Sequence, residues 1–172
     1  MKRRPVLIFF LLFIPGWVLS QKLTLNTTTL SNSSGLSQNS VQAIFKDRYG
    51  FLWFGTQDRL NKYYGIKMVI YRHLNNDPTS LPANNIMALG EDADGALWVG
   101  TRLGGLSKYD RARDSFTNFK HNNLDAHSIS NDNVNAILND ESGNLWVGTS
   151  NGLNLFNKKT GTFTRYFNKP GD

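Results

Sequence analysis

Ile86-Met-Ala-Leu89-Gly-Glu-Asp92-Ala-Asp-Gly95-Ala-Leu97-Trp98-Val-Gly100-Thr101 decides the fold, because the chain carries this pattern three times. The first copy is Val41-Gln-Ala-Ile44-Phe-Lys-Asp47-Arg-Tyr-Gly50-Phe-Leu52-Trp53-Phe-Gly55-Thr56. The third is Val134-Asn-Ala-Ile137-Leu-Asn-Asp140-Glu-Ser-Gly143-Asn-Leu145-Trp146-Val-Gly148-Thr149. The three tryptophans stand 45 and 48 residues apart. The aliphatic starts at Val41, Ile86 and Val134 keep the same spacing, and a fixed period of this kind marks a repeat architecture. The match runs on through Leu60-Asn-Lys-Tyr63, Leu106-Ser-Lys-Tyr109 and Leu153-Asn-Leu-Phe156. It ends in Val69-Ile-Tyr71, Phe116-Thr-Asn-Phe119 and Phe163-Thr-Arg-Tyr166.

Each copy reads as four short strands. The first is apolar and small. An Asp-x-x-Gly turn follows, with glycine taking a left-handed conformation. The second strand carries the tryptophan, the third holds Leu60 and Tyr63 or their equivalents, and the fourth is aromatic and alternating. A four-stranded unit of about 45 residues is the size of a propeller blade. The fold class is therefore all-β, with three β-propeller blades in an incomplete ring, since rings usually have about four to eight blades. One blade cannot bury both faces alone, so neighbours share a buried layer. Trp53, Trp98 and Trp146 are expected in that layer, with Gly55, Gly100 and Gly148 as the rest of the repeat core. Each indole is expected to bury roughly 200 Å², on the order of 5 kcal/mol as an upper bound.

The expected organisation is a signal peptide over 1–20, a lead-in over 21–36, and blades over 37–82, 83–130 and 131–172. Lys2-Arg3-Arg4, the apolar run from Val6 to Ile14, and Val18-Leu19-Ser20 before Gln21 fit a secretory signal. The run is shorter than the roughly 20 apolar residues of a spanning helix, and no second apolar stretch follows. Export without a membrane span in the mature chain is the expectation. The lead-in Leu23-Thr-Leu-Asn-Thr-Thr-Thr-Leu30 alternates and is β-branched, which predicts a lone strand. The chain stops at Lys169-Pro-Gly-Asp172, where a linker to a fourth blade would begin, and an N-terminal fragment is expected.

Charge and chemistry exclude several classes. The formal net charge of +6 falls to +3 without Lys2, Arg3 and Arg4, and no basic cluster follows, so no nucleic-acid partner is expected. There is no cysteine, so disulfides and thiolate metal sites are excluded. The spacing of His73, His121 and His127 suits neither a helix face nor a metal turn, and no metal or cofactor is expected. Asp92-Ala-Asp94-Gly95 lacks the distal ligands of a calcium loop. Gly104-Gly105 is a turn, not a phosphate cradle. Asn26-Thr-Thr28 and Asn32-Ser-Ser34 fit the glycosylation triplet, without consequence in a bacterial setting. No catalytic residues stand out, and the chain is not expected to be an enzyme.

A binding end can be chosen by geometry. In an antiparallel blade, the turns between the second and third strands share one end with the inter-blade linkers. The Asp-x-x-Gly turns lie at the other. The first end has the longer loops, and loops carry recognition. Its candidate ligand-binding residues are Asp58, Arg59, Asn76, Asp77, Arg102, His121 and Asn151. Such groups suit sugar hydroxyls, or uronate and sulfate through arginine.

The run of Val/Ile, Asp-x-x-Gly-x-Leu-Trp-Val/Phe-Gly-Thr and Gly-Leu-Asn-x-Phe/Tyr resembles the two-component regulator propeller repeat. The resemblance covers nearly all of residues 37–167, including the stretches Asn75-Asn-Asp-Pro78-Thr-Ser80-Leu81 and His121-Asn-Asn-Leu124-Asp-Ala-His-Ser128-Ile129. It implies the periplasmic sensor of a hybrid histidine kinase anchored in the inner membrane, with an oligosaccharide cue. It also implies downstream kinase domains in a parent chain and a homodimeric parent. Two departures are Arg59, where the family has glycine, and Leu103, which lengthens its turn by one residue. The alternatives are a secreted propeller enzyme such as a lyase, which would need recurrent His, Glu or Tyr near the channel, and a passive protein-interaction scaffold.

Overall fold

The computed structural model describes residues 27–168. Twelve strands form three separate four-stranded antiparallel sheets. Blade 1 is β1 (Val41–Lys46), β2 (Leu52–Thr56), β3 (Leu60–Tyr63) and β4 (Met68–Tyr71). Blade 2 is β5 (Ile86–Glu91), β6 (Leu97–Thr101), β7 (Gly105–Asp110) and β8 (Ser115–Phe119). Blade 3 is β9 (Val134–Asn139), β10 (Leu145–Thr149), β11 (Gly152–Asn157) and β12 (Thr162–Tyr166). Within each sheet the strands pair in chain order. The first strands β1, β5 and β9 contact one another in succession, so they form the inner row. The ring is open, as the repeat count predicts.

Of the lone strand expected over 23–30, residues 23–26 lie outside the described residues. Residues 27–30 are irregular, followed by a 3-10 turn at Asn32–Ser34. Alternation makes a strand only where a neighbour offers its backbone, and among the described residues no sheet edge pairs with this stretch. The expected signal segment lies outside the described residues. Among those described, no helix is long and apolar enough to cross a membrane.

Two buried layers hold the blades together. In the first, Leu81 of the linker and Ile86, Leu97, Val99, Tyr109 and Phe116 of blade 2 pack on Trp53, Leu60 and Tyr71 of blade 1. In the second, Ile129 of the linker and Val134, Leu145, Val147, Phe156 and Phe163 of blade 3 pack on Trp98, Leu106 and Phe119 of blade 2. The two sets match position for position. Glycine makes the close approach possible, because a Cβ at Gly55 would come within 2.7 Å of Ile86 Cγ2 and one at Gly100 within 2.6 Å of Val134 Cγ1. Trp53 and Trp98 are fully buried, but Trp146 is only half-buried, packed at a tilt against Tyr166 with no following blade among the described residues. The expectation of one environment for all three tryptophans is corrected on that point: the motif is the same, the neighbour is not.

The Asp of each Asp-x-x-Gly turn does more than turn the chain. Oδ1 of Asp47 accepts the backbone N–H groups of Tyr49 and Phe51, while Oδ2 accepts the indole N–H of Trp53 at 2.8 Å. Asp92 and Asp140 bind Trp98 and Trp146 in the same way, at 2.9 and 2.8 Å. Burial pushes the Asp47 carboxyl up, but the bonds from Trp53, Arg111 and the Phe51 backbone more than offset it, and its pKa is lowered. The turn glycines Gly50, Gly95 and Gly143 all have φ between 80° and 88°.

Candidate functional site

The two ends of the blades use their polar groups differently. At the Asp-x-x-Gly end the charges tie blades together. Arg48 pairs with Glu91, Arg111 with Asp47 at 2.6 Å, and Lys158 with Asp94 at 3.0 Å, each across a blade boundary. At the other end, the turns between second and third strands lie beside the linkers. Gln57, Arg102 and Ser150 donate their backbone N–H groups to the carbonyls of Ser40, Asn85 and Asn133.

The threonine closing each Leu-Trp-Val/Phe-Gly-Thr run anchors that turn. Thr56 Oγ donates to the Arg59 carbonyl, Thr101 to Gly105 and Thr149 to Gly152. Gly105 and Gly152 sit at φ 85° and 108°, whereas Arg59 is not left-handed, so the blade 1 turn takes another shape to fit a side chain. The extra residue Leu103 sits at φ 67° and is exposed.

Each inner strand carries a β-bulge at this same end, at Gln42, Met87 and Asn135. Bulges re-aim side chains. Here the bulge turns Ile86 toward blade 1 while Ala88 and Gly90 face blade 3. It also puts Met87 and Asn135 beside Arg102, Asn133 and Ser150 in a cleft of about 210 Å³ where blades 2 and 3 meet. Arg102 makes none of the ion pairs among the described residues and is exposed. Asn135 donates to Ser150 Oγ at 3.3 Å. Met87, Asn133 and Asn135 are absent from the sequence-based candidates, because a bulge shows only when the pairing register is known.

The other candidates lie elsewhere. Asn151 is exposed in the turn next to Ser150. Asp58 and Arg59 face each other at 3.4 Å in the blade 1 turn. Asn76 and Asp77 line a cleft of about 580 Å³ with His73, Pro78, Asn118 and Lys120 on the first linker. Asp77 shapes that linker. Its carboxylate accepts the Thr79 hydroxyl and N–H, which lower its pKa. The ring of His121 is taken up by the Ile129 carbonyl at 2.7 Å and Asn123 Oδ1 at 2.8 Å. His73 bonds the Leu81 carbonyl in the same way, at 2.8 Å, so both rings brace linkers. Among the described residues no group of three or more His, Asp or Glu side chains could hold a metal ion. The arrangement offers hydrogen bonds and one uncommitted guanidinium, which suits recognition of a polar or anionic ligand.

Residues 35–58, 80–102 and 128–151 match the family model of the two component regulator propeller. A 47-residue stretch is 51% identical to histidine kinase P4 of Formosa agariphila, covering 27% of this chain and 3% of that protein. The structure superposes with a TM-score of 0.75 on the extracellular domain of a putative hybrid two component system from B. thetaiotaomicron. That match has 30% identity and covers 81% of this chain and 20% of the other. A virginiamycin B lyase from Staphylococcus aureus superposes with a TM-score of 0.57 at 14% identity, over 79% of this chain and 44% of its own. That last likeness is one of fold. The chain thus spans about a fifth of the solved extracellular domain it resembles and a much smaller share of the kinase.

Proposed function

Because this chain belongs to the two-component regulator propeller repeat family, we propose that it is a ligand-sensing segment of a two-component sensor, exported to the periplasm. In this reading it is the front of a hybrid histidine kinase, and the kinase domains lie further along a longer parent chain. The observation that carries the reading is the superposition of four-fifths of the chain on the extracellular domain of a putative hybrid two component system. The cue enters at the end of the blades where Arg102, Asn133, Asn135 and Ser150 converge. Its chemistry is that of an oligosaccharide, with hydroxyls for the amides and Ser150, and a uronate or sulfate for Arg102. Ligand binding there would shift the balance between two arrangements of a dimeric parent. The chain itself performs no catalysis in this reading.

Isothermal titration of the chain tests it, with oligogalacturonates and sulfated oligosaccharides beside neutral gluco-oligosaccharides. An anionic sugar is expected to bind, and Arg102→Ala to weaken it at least tenfold. Heats no different from buffer across the whole panel would end the oligosaccharide assignment.

A further inference from the structure

A lysine stands at the same place on the third strand of blades 1 and 2, in two different surroundings. Lys62 is 6% exposed. Its ammonium lies over the rings of Phe51 at 4.6 Å, Tyr64 at 5.0 Å, Trp53 at 5.2 Å and Tyr109 at 5.6 Å. Phe51 and Tyr64 meet edge to face, with centroids 4.9 Å apart. A cation is attracted to ring faces, which accommodates this buried ammonium.

Register puts Lys108 at the equivalent position in blade 2. Lys62 pairs with Trp53 and Val69 on the flanking strands, and Lys108 with Trp98 and Thr117. The indole is kept, with the Lys108 ammonium 5.6 Å from the Trp98 ring. Two other rings of the cage are not kept: Phe51 becomes Ala96, and Tyr64 becomes Asp110. In their place is a cavity of about 450 Å³, lined by Ala96, Lys108, Asp110 and Thr117 among others. That volume falls within the range of about 300–1,000 Å³ usual for small-molecule sites. Lys108 makes none of the ion pairs among the described residues. Asp94 and Asp110 on the rim are paired, with Lys158 at 3.0 Å and Arg113 at 2.8 Å. Blade 2 has a blade on either side, so the cavity is not an end face of the array. Blade 3 carries Leu155 in place of the lysine.

We propose that this cavity binds a small phenolic ligand, whose ring takes the place over Lys108 that Phe51 and Tyr64 take over Lys62. The ammonium attracts the ring face. The Asp110 carboxylate and Thr117 hydroxyl on the rim are acceptors for ring hydroxyls. A saturated ring of the same shape offers the ammonium no π face, and a polyanion is opposed by Asp94 and Asp110. The site lies at the Asp-x-x-Gly end, away from the cleft beside Arg102, and does not rest on the oligosaccharide reading.

NMR titration of the 172-residue chain with para-cresol, the tyrosine side chain as a free molecule, is the test, beside its saturated counterpart methylcyclohexanol. In the free protein the Lys62 ε-methylene protons should be shifted upfield by their rings, and those of Lys108 less so. The cresol should move the Lys108 signal toward the Lys62 value and leave Lys62 in place, while methylcyclohexanol should move neither. Lys108→Met keeps the length and removes the charge, and should weaken binding about threefold, read from the Thr117 methyl signal. Ala96→Phe with Asp110→Tyr installs the rings of blade 1. That pair should abolish cresol binding and shift Lys108 upfield without ligand, in protein that still unfolds cooperatively. A Lys108 signal that the cresol does not move, an equal response to methylcyclohexanol, or binding unmoved by Lys108→Met or by the double substitution overturns the proposal.

Discussion

The interface between blades 1 and 2 and the interface between blades 2 and 3 share one geometry and differ in chemistry. At the first, Tyr71 and Tyr109 meet edge to face, and both hydroxyls donate to Oδ1 of Asp114. At the second, the same places hold Phe119, Phe156 and Gly161. Asp114 and Gly161 both adopt left-handed backbone, at φ 52° and 71°. Glycine takes that conformation at no steric cost, while an aspartate there costs on the order of 1 kcal/mol. The two tyrosine hydroxyls supply what offsets the cost. Burial pushes Tyr71 up, and it pushes Tyr109 up to about 12, so both stay protonated donors near neutral pH. Blade packing thus specifies where side chains meet, and leaves open whether the meeting is polar, provided all partners change together.

The largest expected effect separates a covered face from an open one. Trp53 is wholly buried between two blades, and Trp53→Ala should lower stability by about 3–5 kcal/mol, the usual cost of truncating a core aromatic. Trp146→Ala at the same repeat position, where the indole is only half-buried, should cost less than half as much. Urea denaturation of both variants checks this. Equal losses would mean that the third blade owes its stability to something other than its missing neighbour.

Next in size is the aspartate below the indole. Asp47→Ala would strand the Trp53 N–H, two backbone N–H groups and the guanidinium of Arg111. A loss of about 2–3 kcal/mol is expected from unsatisfied buried donors. Asp140→Ala, on the open face, should cost less because water can replace the carboxylate. The same aspartates set the pH dependence. Burial pushes Asp47 and Asp92 up, while the bond from Tyr109 outweighs burial at Asp114; hydrogen bonds from Trp53, Trp98 and the tyrosines bring all three below the ordinary 3.8. In the unfolded chain they titrate near about 3.9. Their contribution is therefore complete above that pH and is lost as pH falls through the lower folded values. The urea midpoint should be flat from pH 7 to 5 and fall below about 4. Asp47→Asn should make that fall shallower.

The Asp114 comparison can be sharpened by a cycle. Asp114→Gly relieves backbone strain but removes the one oxygen that accepts both tyrosine hydroxyls, and a net loss of about 1 kcal/mol is expected. With Tyr71→Phe and Tyr109→Phe already in place, the same change should be neutral or stabilising, since it copies the second interface. A loss of the same size in both backgrounds would show that the tyrosines do not offset the strain.

The repeat made much of this legible. Periodic tryptophans, aliphatic starts and turn glycines place four strands in each copy, and Leu60 and Tyr63, read as third-strand residues, bound β3. What the sequence hides is whatever depends on side-chain contacts and on the pairing register. Asp47 stands six residues before Trp53, as Asp92 and Asp140 stand before theirs, yet a turn explains that aspartate well enough that its bond to the indole goes unseen. The bulges at Gln42, Met87 and Asn135 leave no local mark, so the cleft beside Arg102 acquires three residues that spacing alone could not nominate. Lys62 reads as a surface lysine but lies buried with its ammonium over the rings of Phe51, Trp53, Tyr64 and Tyr109. Two of those rings come from turns and one from the next blade.

The smallest expected effect tests whether partners do change together. In blades 1 and 3 a buried asparagine on the third strand holds the preceding linker. Asn61 accepts the Ser37 N–H and donates to its hydroxyl, and Asn154 does the same for Ser130. Blade 2 has Pro82 at the linker position, which offers neither an N–H nor a hydroxyl. Its third strand accordingly carries Ser107, bonded to Asn118 at 2.7 Å, and Asn118 reaches the linker carbonyls of Pro78 and Ser80 instead. Ser107→Asn alone would place a second amide in a buried site with no linker N–H to bind, and a loss of about 1 kcal/mol is expected. Adding Pro82→Ser should recover at least half of it, because the blade 2 linker then matches the other two. Double-mutant analysis of urea midpoints measures that coupling. If the two changes simply add, Asn118 alone holds the linker, and the match of Pro82 with Ser107 has no energetic basis.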